Sequence, residues 1–193
     1  MLFHCLTILS SYIPSIILYS ISIIVDKKFS ILSLCNITTS LFIGYKIDSN
    51  IITSTSISPI ILIPFLYLFF LIQSSLFYIF HLFLHKKLLF RTIHYIHHQH
   101  ITDGWWTAFH FHPIELLLVL TTFHLPKLIY LYIPIPISVI IIWNIVGSLY
   151  FILSHGSIKQ PFVDLRNHNF HHQYYTCNYS SEWIDRLCGT YKL

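Results

Sequence analysis

The chain has 193 residues, of which 55% are hydrophobic and only 9% charged, with a formal net charge of +4. A water-soluble surface normally carries about a quarter charged residues, so the composition excludes an ordinary soluble domain and indicates a membrane protein. The Lys and Arg residues form no run, which argues against a nucleic-acid partner, and five glycines without a Gly-rich loop exclude a nucleotide-binding fingerprint.

In chain order, the first 25 residues hold an apolar run over about 6–25, with neither a basic leader nor a small-residue cleavage pattern. It is expected to be a retained membrane segment and not a signal peptide. A weaker apolar stretch lies near 31–46, with Lys27, Lys28 and Lys46 on both flanks, so the orientation of the amino terminus stays open. Residues 49–58, rich in Ser, Thr and Ile, read as a connector. They separate an N-terminal membrane part, 1–57, from a second unit, 58–193.

No Asp, Glu, Lys or Arg occurs from Ser49 to His85 or from Leu128 to Ile158. Both stretches exceed the roughly 20 apolar residues that cross a bilayer. Further spans are therefore expected at 58–80, 114–132 and 134–153. Pro126 falls inside the second of these, while Pro134 and Pro136 mark the turn into the last. Those two spans then form a hairpin, and segments 81–112 and 154–193 emerge on one side. Lys86, Lys87, Arg91, Lys159, Arg166, Arg186 and Lys192 all lie in these segments, where the positive-inside rule places the cytosol. The expected fold is all-α and integral to the membrane, with about four transmembrane helices in two hairpins and a cytosolic helical cap.

The cap holds the chemistry. Three short clusters, His81-x3-His85, His94-x2-His97-His98 and His168-x2-His171-His172, contain eight of the fourteen histidines. Residues three and four apart share a helix face, so each cluster can aim its imidazoles at one point. Histidine suits iron, copper, zinc or nickel, and eight ligands exceed the needs of one ion, so two metals are expected. A bundle di-iron site built on Glu-x-x-His is excluded, because that motif does not occur. Asp164, Glu182 and Asp185 are candidates to orient ligand rings from behind. His4 and His124 are isolated and read as hydrogen-bonded or interfacial residues. His100 and His110, near the clusters but off the motif, read as surface or supporting groups. Glu115 would need a partner, such as Lys127 or a histidine. The four cysteines, Cys5, Cys35, Cys177 and Cys188, form no CxxC pair, and no disulfide is expected.

Together these clusters resemble the fatty acid hydroxylase and sterol desaturase superfamily of membrane-bound non-heme di-iron oxygenases. The resemblance covers roughly residues 60–193. It adds His112-Pro113-Ile114-Glu115, a lone His155 after the last span, and a tail with Asn178-Tyr179, Asp185-Arg186-Leu187 and Gly189-Thr190. The His-Pro-x-Glu element and the tail are most similar to the sterol C-5 desaturase and C-4 methyl oxidase branches. By this resemblance the metal ligands are His81, His85, His94, His97, His98, His155, His168, His171 and His172. His112, Glu115, Asn178 and Asp185 are candidate supporting residues, His112 being suited by its proline neighbour to a turn. Some relatives carry another histidine four residues before the equivalent of His155, where this chain has Phe151.

The resemblance implies two iron ions, O2 as co-substrate, and oxidation of a membrane lipid, a sterol ahead of a fatty acyl or sphingolipid chain, by desaturation or hydroxylation. It also implies electrons from cytochrome b5 or an NAD(P)H-dependent reductase. The expected location is the endoplasmic reticulum in a eukaryotic cell, with the site facing the cytosol. An alternative of another class is a non-catalytic metal-binding membrane protein or a transporter. A transporter would place its ligands inside the spans, whereas these histidines stand at span ends.

Overall fold

The computed structural model describes residues 12–13, 16–17, 20–21, 30–51, 53–54, 59–100, 105–156 and 167–192. Most of these are helical. The weak apolar stretch forms a full helix, α1 (Ile31–Asp48), which begins where the Ser30 hydroxyl accepts from the Ser33 amide at 3.2 Å. That bond satisfies one of the amides a helix start leaves open. The Asn36 amide of α1 donates to the carbonyls of Phe109 and Phe111, both at 2.8 Å, tying α1 to the chain ahead of the third long helix.

The next helix, α2 (Pro59–Leu84), runs 26 residues without a charged side chain. At that length it spans about 39 Å, more than a hydrocarbon core of about 30 Å. It passes the expected end at residue 80 and carries His81 in its last turn. Ile63, Tyr67, Ile79 and Phe83 are exposed along it. A short helical run then follows in three pieces, Lys87–Leu89, the π-helical Phe90–His94, and Tyr95–His98, together α3. After a 3-10 turn at Trp105–Phe109 comes α4 (Pro113–His124). Pro126 interrupts α-helical bonding, and the chain continues as a 3-10 segment, Leu125–Leu131.

Pro134 and Pro136 bracket the turn into α5 (Ile137–Leu153). Here Ile135–Pro136 (β2) pairs in parallel with Thr53–Ser54 (β1), so the connector is pinned against this turn. Two short helices complete the described chain, α6 (Asn167–Tyr174) and α7 (Glu182–Leu187). Leu62–Leu84 and Pro113–Leu131 are long and apolar enough to cross a membrane; Ile137–Leu153 is apolar but shorter. The expected span at 6–25 lies largely outside the described residues.

Trp143 pins α2, α4 and α5 together. Its indole meets Phe69 edge-on at 5.5 Å, stacks on Phe123 at 5.4 Å, and donates from Nε1 to the Phe123 carbonyl at 3.1 Å. Gly147 makes room, since a Cβ there would fall 2.6 Å from the Phe123 ring. A second cluster, Ile37, Phe109, Phe111, Leu116 and Ile152, joins α1 to α4 and α5 under the histidines.

One polar knot is buried among these apolar contacts. Lys127 Nζ and Asp48 Oδ1 lie 2.6 Å apart, both side chains fully buried. Breaking a buried pair leaves an uncompensated charge, at a cost of about 3–5 kcal/mol. Lys127→Met is therefore expected to lower the thermal midpoint in detergent markedly, and Lys127→Met with Asp48→Leu is expected to recover much of the loss.

Candidate metal centre

Each histidine reaches the centre for a local reason. His81 lies in the last turn of α2, and the His85 amide still bonds the His81 carbonyl at 3.1 Å, so both rings leave one face. The π-helical piece of α3 delivers His94, and the α-turn after it delivers His97 and His98. His155 follows the end of α5, and α6 carries His168, His171 and His172.

The nine rings form two groups. His81, His85, His94, His98 and His171 make one, and His97, His155, His168 and His172 the other; within each, one ligand atom per residue lies within 4.8 Å of all the rest. In the first group His94 Nε2 stands 3.0 Å from His81 Nε2, 3.1 Å from His85 Nε2 and 3.0 Å from His98 Nε2. In the second, His172 Nε2 stands 3.1 Å from His97 Nε2 and 3.0 Å from His168 Nε2.

The two HxxHH motifs exchange their middle members. His94 and His98 join the first group while His97 crosses to the second; His168 and His172 join the second while His171 crosses to the first. The remaining ligands break this symmetry. α2 gives the first group both His81 and His85, four residues apart, whereas α5 gives the second only His155, with Phe151 at the position four residues earlier.

The opposite ring nitrogens decide the tautomer. His81 Nδ1 donates to the Tyr179 carbonyl at 2.6 Å, His171 Nδ1 to that of Cys177 at 2.7 Å, and His155 Nδ1 to that of Phe151 at 3.0 Å. His97 Nδ1 faces the His110 carbonyl at 3.4 Å, and His94 Nδ1 meets Glu115 Oε1 at 2.8 Å. A carbonyl only accepts, so Nδ1 carries the proton and a neutral ring keeps its lone pair on Nε2. In these four rings the lone pair is therefore on Nε2, aimed at the other rings of its group, an arrangement suited to a cation.

Electrostatics favour the same state. Burial drives His85 and His155 down to about 4 from the usual 6.5, the Phe151 carbonyl partly opposing this at His155. Burial, then neighbouring imidazoles, drives His97, His98, His168, His171 and His172 further below the ordinary range. At neutral pH these rings are uncharged, the form a metal requires.

The supporting residues divide. Glu115 sits in the first turn of α4 and bonds His94, so its partner is a histidine and not Lys127. Asp185 acts through backbone: its carboxylate accepts from the amides of Tyr179 and Ser180, each at 2.8 Å, and from the Thr190 hydroxyl at 2.7 Å. Asn178, at a positive φ of 55°, is clamped to Lys192 in both directions at 2.8 Å. This tail staple holds the Tyr179 carbonyl against His81. His112 does not reach the rings, because it caps α4 by accepting from the Ile114 amide at 3.1 Å. Glu182 pairs with Arg186 on the surface at 2.8 Å and orients no ligand ring, contrary to the expectation from sequence. Asp164 and His4 lie outside the described residues. His124 is buried against Lys127, in keeping with a hydrogen-bonded role. The carbonyls of Cys177, Tyr179 and His110 escape sequence reasoning, since a backbone acceptor has no residue signature.

A cavity of about 230 Å³ borders the second group, with His155, His168, Phe111 and Phe151 in its wall and a mainly apolar lining further in.

The family model described as fatty acid hydroxylase matches residues 66–190, which include all nine histidines. Methylsterol monooxygenase 1 of Gallus gallus is 26% identical over 130 residues, 62% of this chain and 43% of that protein. The Rattus norvegicus protein of the same name is 29% identical over 132 residues, with the same shares. A Delta(7)-sterol 5(6)-desaturase of Gibberella zeae is 23% identical over 117 residues, 56% of this chain and 35% of that protein. The chain thus spans less than half the length of these curated relatives. No solved structure matches.

Two outcomes are expected. Removing a partner behind a ligand ring costs about 10–100-fold in metal affinity, so Glu115→Leu should weaken metal retention by that factor in a chelator competition. For the metal-free protein, the depressed histidines bind protons less readily folded than unfolded. Its stability should be full above about 6.5 and fall as pH drops through about 4, as denaturant titrations at a series of pH values would show.

Proposed function

Because the chain belongs to the fatty acid hydroxylase family, we propose that it oxidises a membrane lipid in an O2-dependent reaction, desaturation or hydroxylation, at its histidine centre. The observation that carries this is the meeting of two neutral imidazole groups with an apolar cavity that ends on His155 and His168. A sterol is favoured over a fatty acyl or sphingolipid chain, in line with the names of the curated relatives.

Two iron ions fit the donor set, one held by His81, His85, His94, His98 and His171 and the other by His97, His155, His168 and His172. Bound there, they would supply the reductive activation of O2 that lets an unactivated C–H bond be broken. The chain's own residues perform the rest. Nδ1–H bonds to the carbonyls of Tyr179, Cys177 and Phe151, and the bond between His94 Nδ1 and Glu115, hold the rings at fixed orientations. Phe111 and Phe151 keep water from the cavity side of the second group, and the apolar wall holds the lipid. Electrons come from outside the chain, from cytochrome b5 or an NAD(P)H-dependent reductase. Lys86, Lys87 and Arg91 are exposed next to the first group in sequence and offer a cationic face to an acidic donor.

In this reading 58–193 is the oxygenase unit and 1–57 the N-terminal membrane part. Four transmembrane helices in two hairpins carry the histidines at the cytosolic face, in the endoplasmic reticulum if the cell is eukaryotic. Ligands at helix ends speak against a transporter, whose ligands would stand within the spans.

The test is a mass-spectrometric lipid profile of a eukaryotic cell expressing the protein, compared with one expressing His171→Ala. A lipid that loses two hydrogens or gains one oxygen only with the unaltered protein is expected. Full turnover by the His171→Ala protein would overturn the assignment.

A further inference from the structure

The cavity has a second polar end. From Glu115, which touches the first histidine group, to His124 at its last turn, α4 rises about 14 Å. Tyr12, Thr122 and His124 line the cavity there, while His155 and His168 line it at the metal end.

The state of His124 follows from its neighbours. Lys127 Nζ has three protons and meets three acceptors: Asp48 Oδ1 at 2.6 Å, Asn144 Oδ1 at 2.8 Å and His124 Nδ1 at 3.1 Å. Asp48 Oδ2 in turn accepts from Tyr12 at 2.8 Å and Asn144 at 2.7 Å. The ammonium's third proton thus points at His124 Nδ1; Asp48 Oδ1 also faces that nitrogen but at 3.7 Å, beyond hydrogen-bond range, so Nδ1 accepts from Lys127 and carries no proton. The proton of the neutral ring is on Nε2. His124 is 95% buried by residue, its exposure being 5%. Among the described residues, no acceptor meets that Nε2–H. The edge of the same ring packs on α1 where Gly44 leaves space, a Cβ there falling 3.3 Å from His124 Cε1. The ring is therefore locked from two sides, with one donor left over beside an apolar cavity.

Resting on the lipid-oxidation reading, we propose that His124 is the distal specificity residue of the lipid chamber. Its Nε2–H donates to an oxygen function, a hydroxyl or carbonyl, about 14 Å from the histidine groups. The substrate class that fits is an elongated, mostly apolar lipid whose oxidised carbon is remote from that oxygen. The Asp48–Lys127–Asn144 knot serves to fix the tautomer that makes His124 a donor.

The experiment measures binding without turnover. The full chain in nanodiscs is titrated with cholesterol and with its 3-deoxy analogue, cholest-5-ene, by quenching of tryptophan fluorescence, since Trp143 also lines the cavity. The unaltered protein is expected to prefer cholesterol about fivefold, the value of one neutral hydrogen bond. His124→Leu should bind both sterols equally, at the affinity of the deoxy compound. His124→Gln, whose amide can accept from Lys127 and donate into the cavity, should restore the preference. Metal content should stay unchanged in both variants. Equal binding of the two sterols by the unaltered protein overturns the role of His124 and leaves lipid oxidation standing, and this needs no variant to fold. An unchanged preference in His124→Leu overturns it as well. Failure of either sterol to bind would instead count against the sterol reading.

Discussion

Everything in this molecule depends on which nitrogen of each imidazole carries the proton. Four of the clustered rings are fixed by a backbone carbonyl behind Nδ1, and a fifth, His94, is held there by the Glu115 carboxyl. Each carbonyl bond commits the lone pair to Nε2, and the Nε2 atoms of the two groups face one another at 3.0–3.4 Å. Two lone pairs facing each other at this range repel, and a cation held among them would turn the repulsion into coordination. Burial strengthens the same choice by disfavouring the imidazolium. The rest of the fold supplies those acceptors: the Asp185 staple for Tyr179, the last turn of α5 for Phe151, the first turn of α4 for Glu115.

The exchange of middle histidines between the two HxxHH motifs locks α3 to α6 and makes the groups interdependent, since neither closes without residues from both helices. It also sets up a near symmetry that α2 and α5 break. With His81 and His85 the first group is the fuller one. The second has an aromatic ring, Phe151, where a further imidazole would match His81, and it is this group that borders the cavity. The group that borders the cavity is thus the one with fewer histidines.

Much of this was legible in the sequence because it is local. A run of uncharged residues announces α2, i, i+3 and i+4 spacing announces eight of the clustered histidines, and the resemblance adds His155; the structure brings these nine rings together. Helical structure in 31–46 was only weakly signalled, because Asn36, Thr38 and Ser40 dilute its apolar pattern, yet Asn36 is the residue that ties α1 to the loop before α4. What remained hidden depends on distant partners. Asp48 and Lys127 are 79 positions apart, and their pairing leaves no spacing to read. The carbonyls behind His81 and His171 belong to Tyr179 and Cys177, whose side chains play no part in those bonds. Sequence placed Glu182 and Asp185 alike as ring-orienting acids; packing turned one to the surface and the other into the tail staple.

The most direct measurement is anomalous X-ray scattering at the iron edge from crystals of the protein purified with its metal. Two peaks per chain are expected, one within each histidine group. A single peak, or iron bound away from these nine side chains, would contradict the two-group centre on which the proposed chemistry rests.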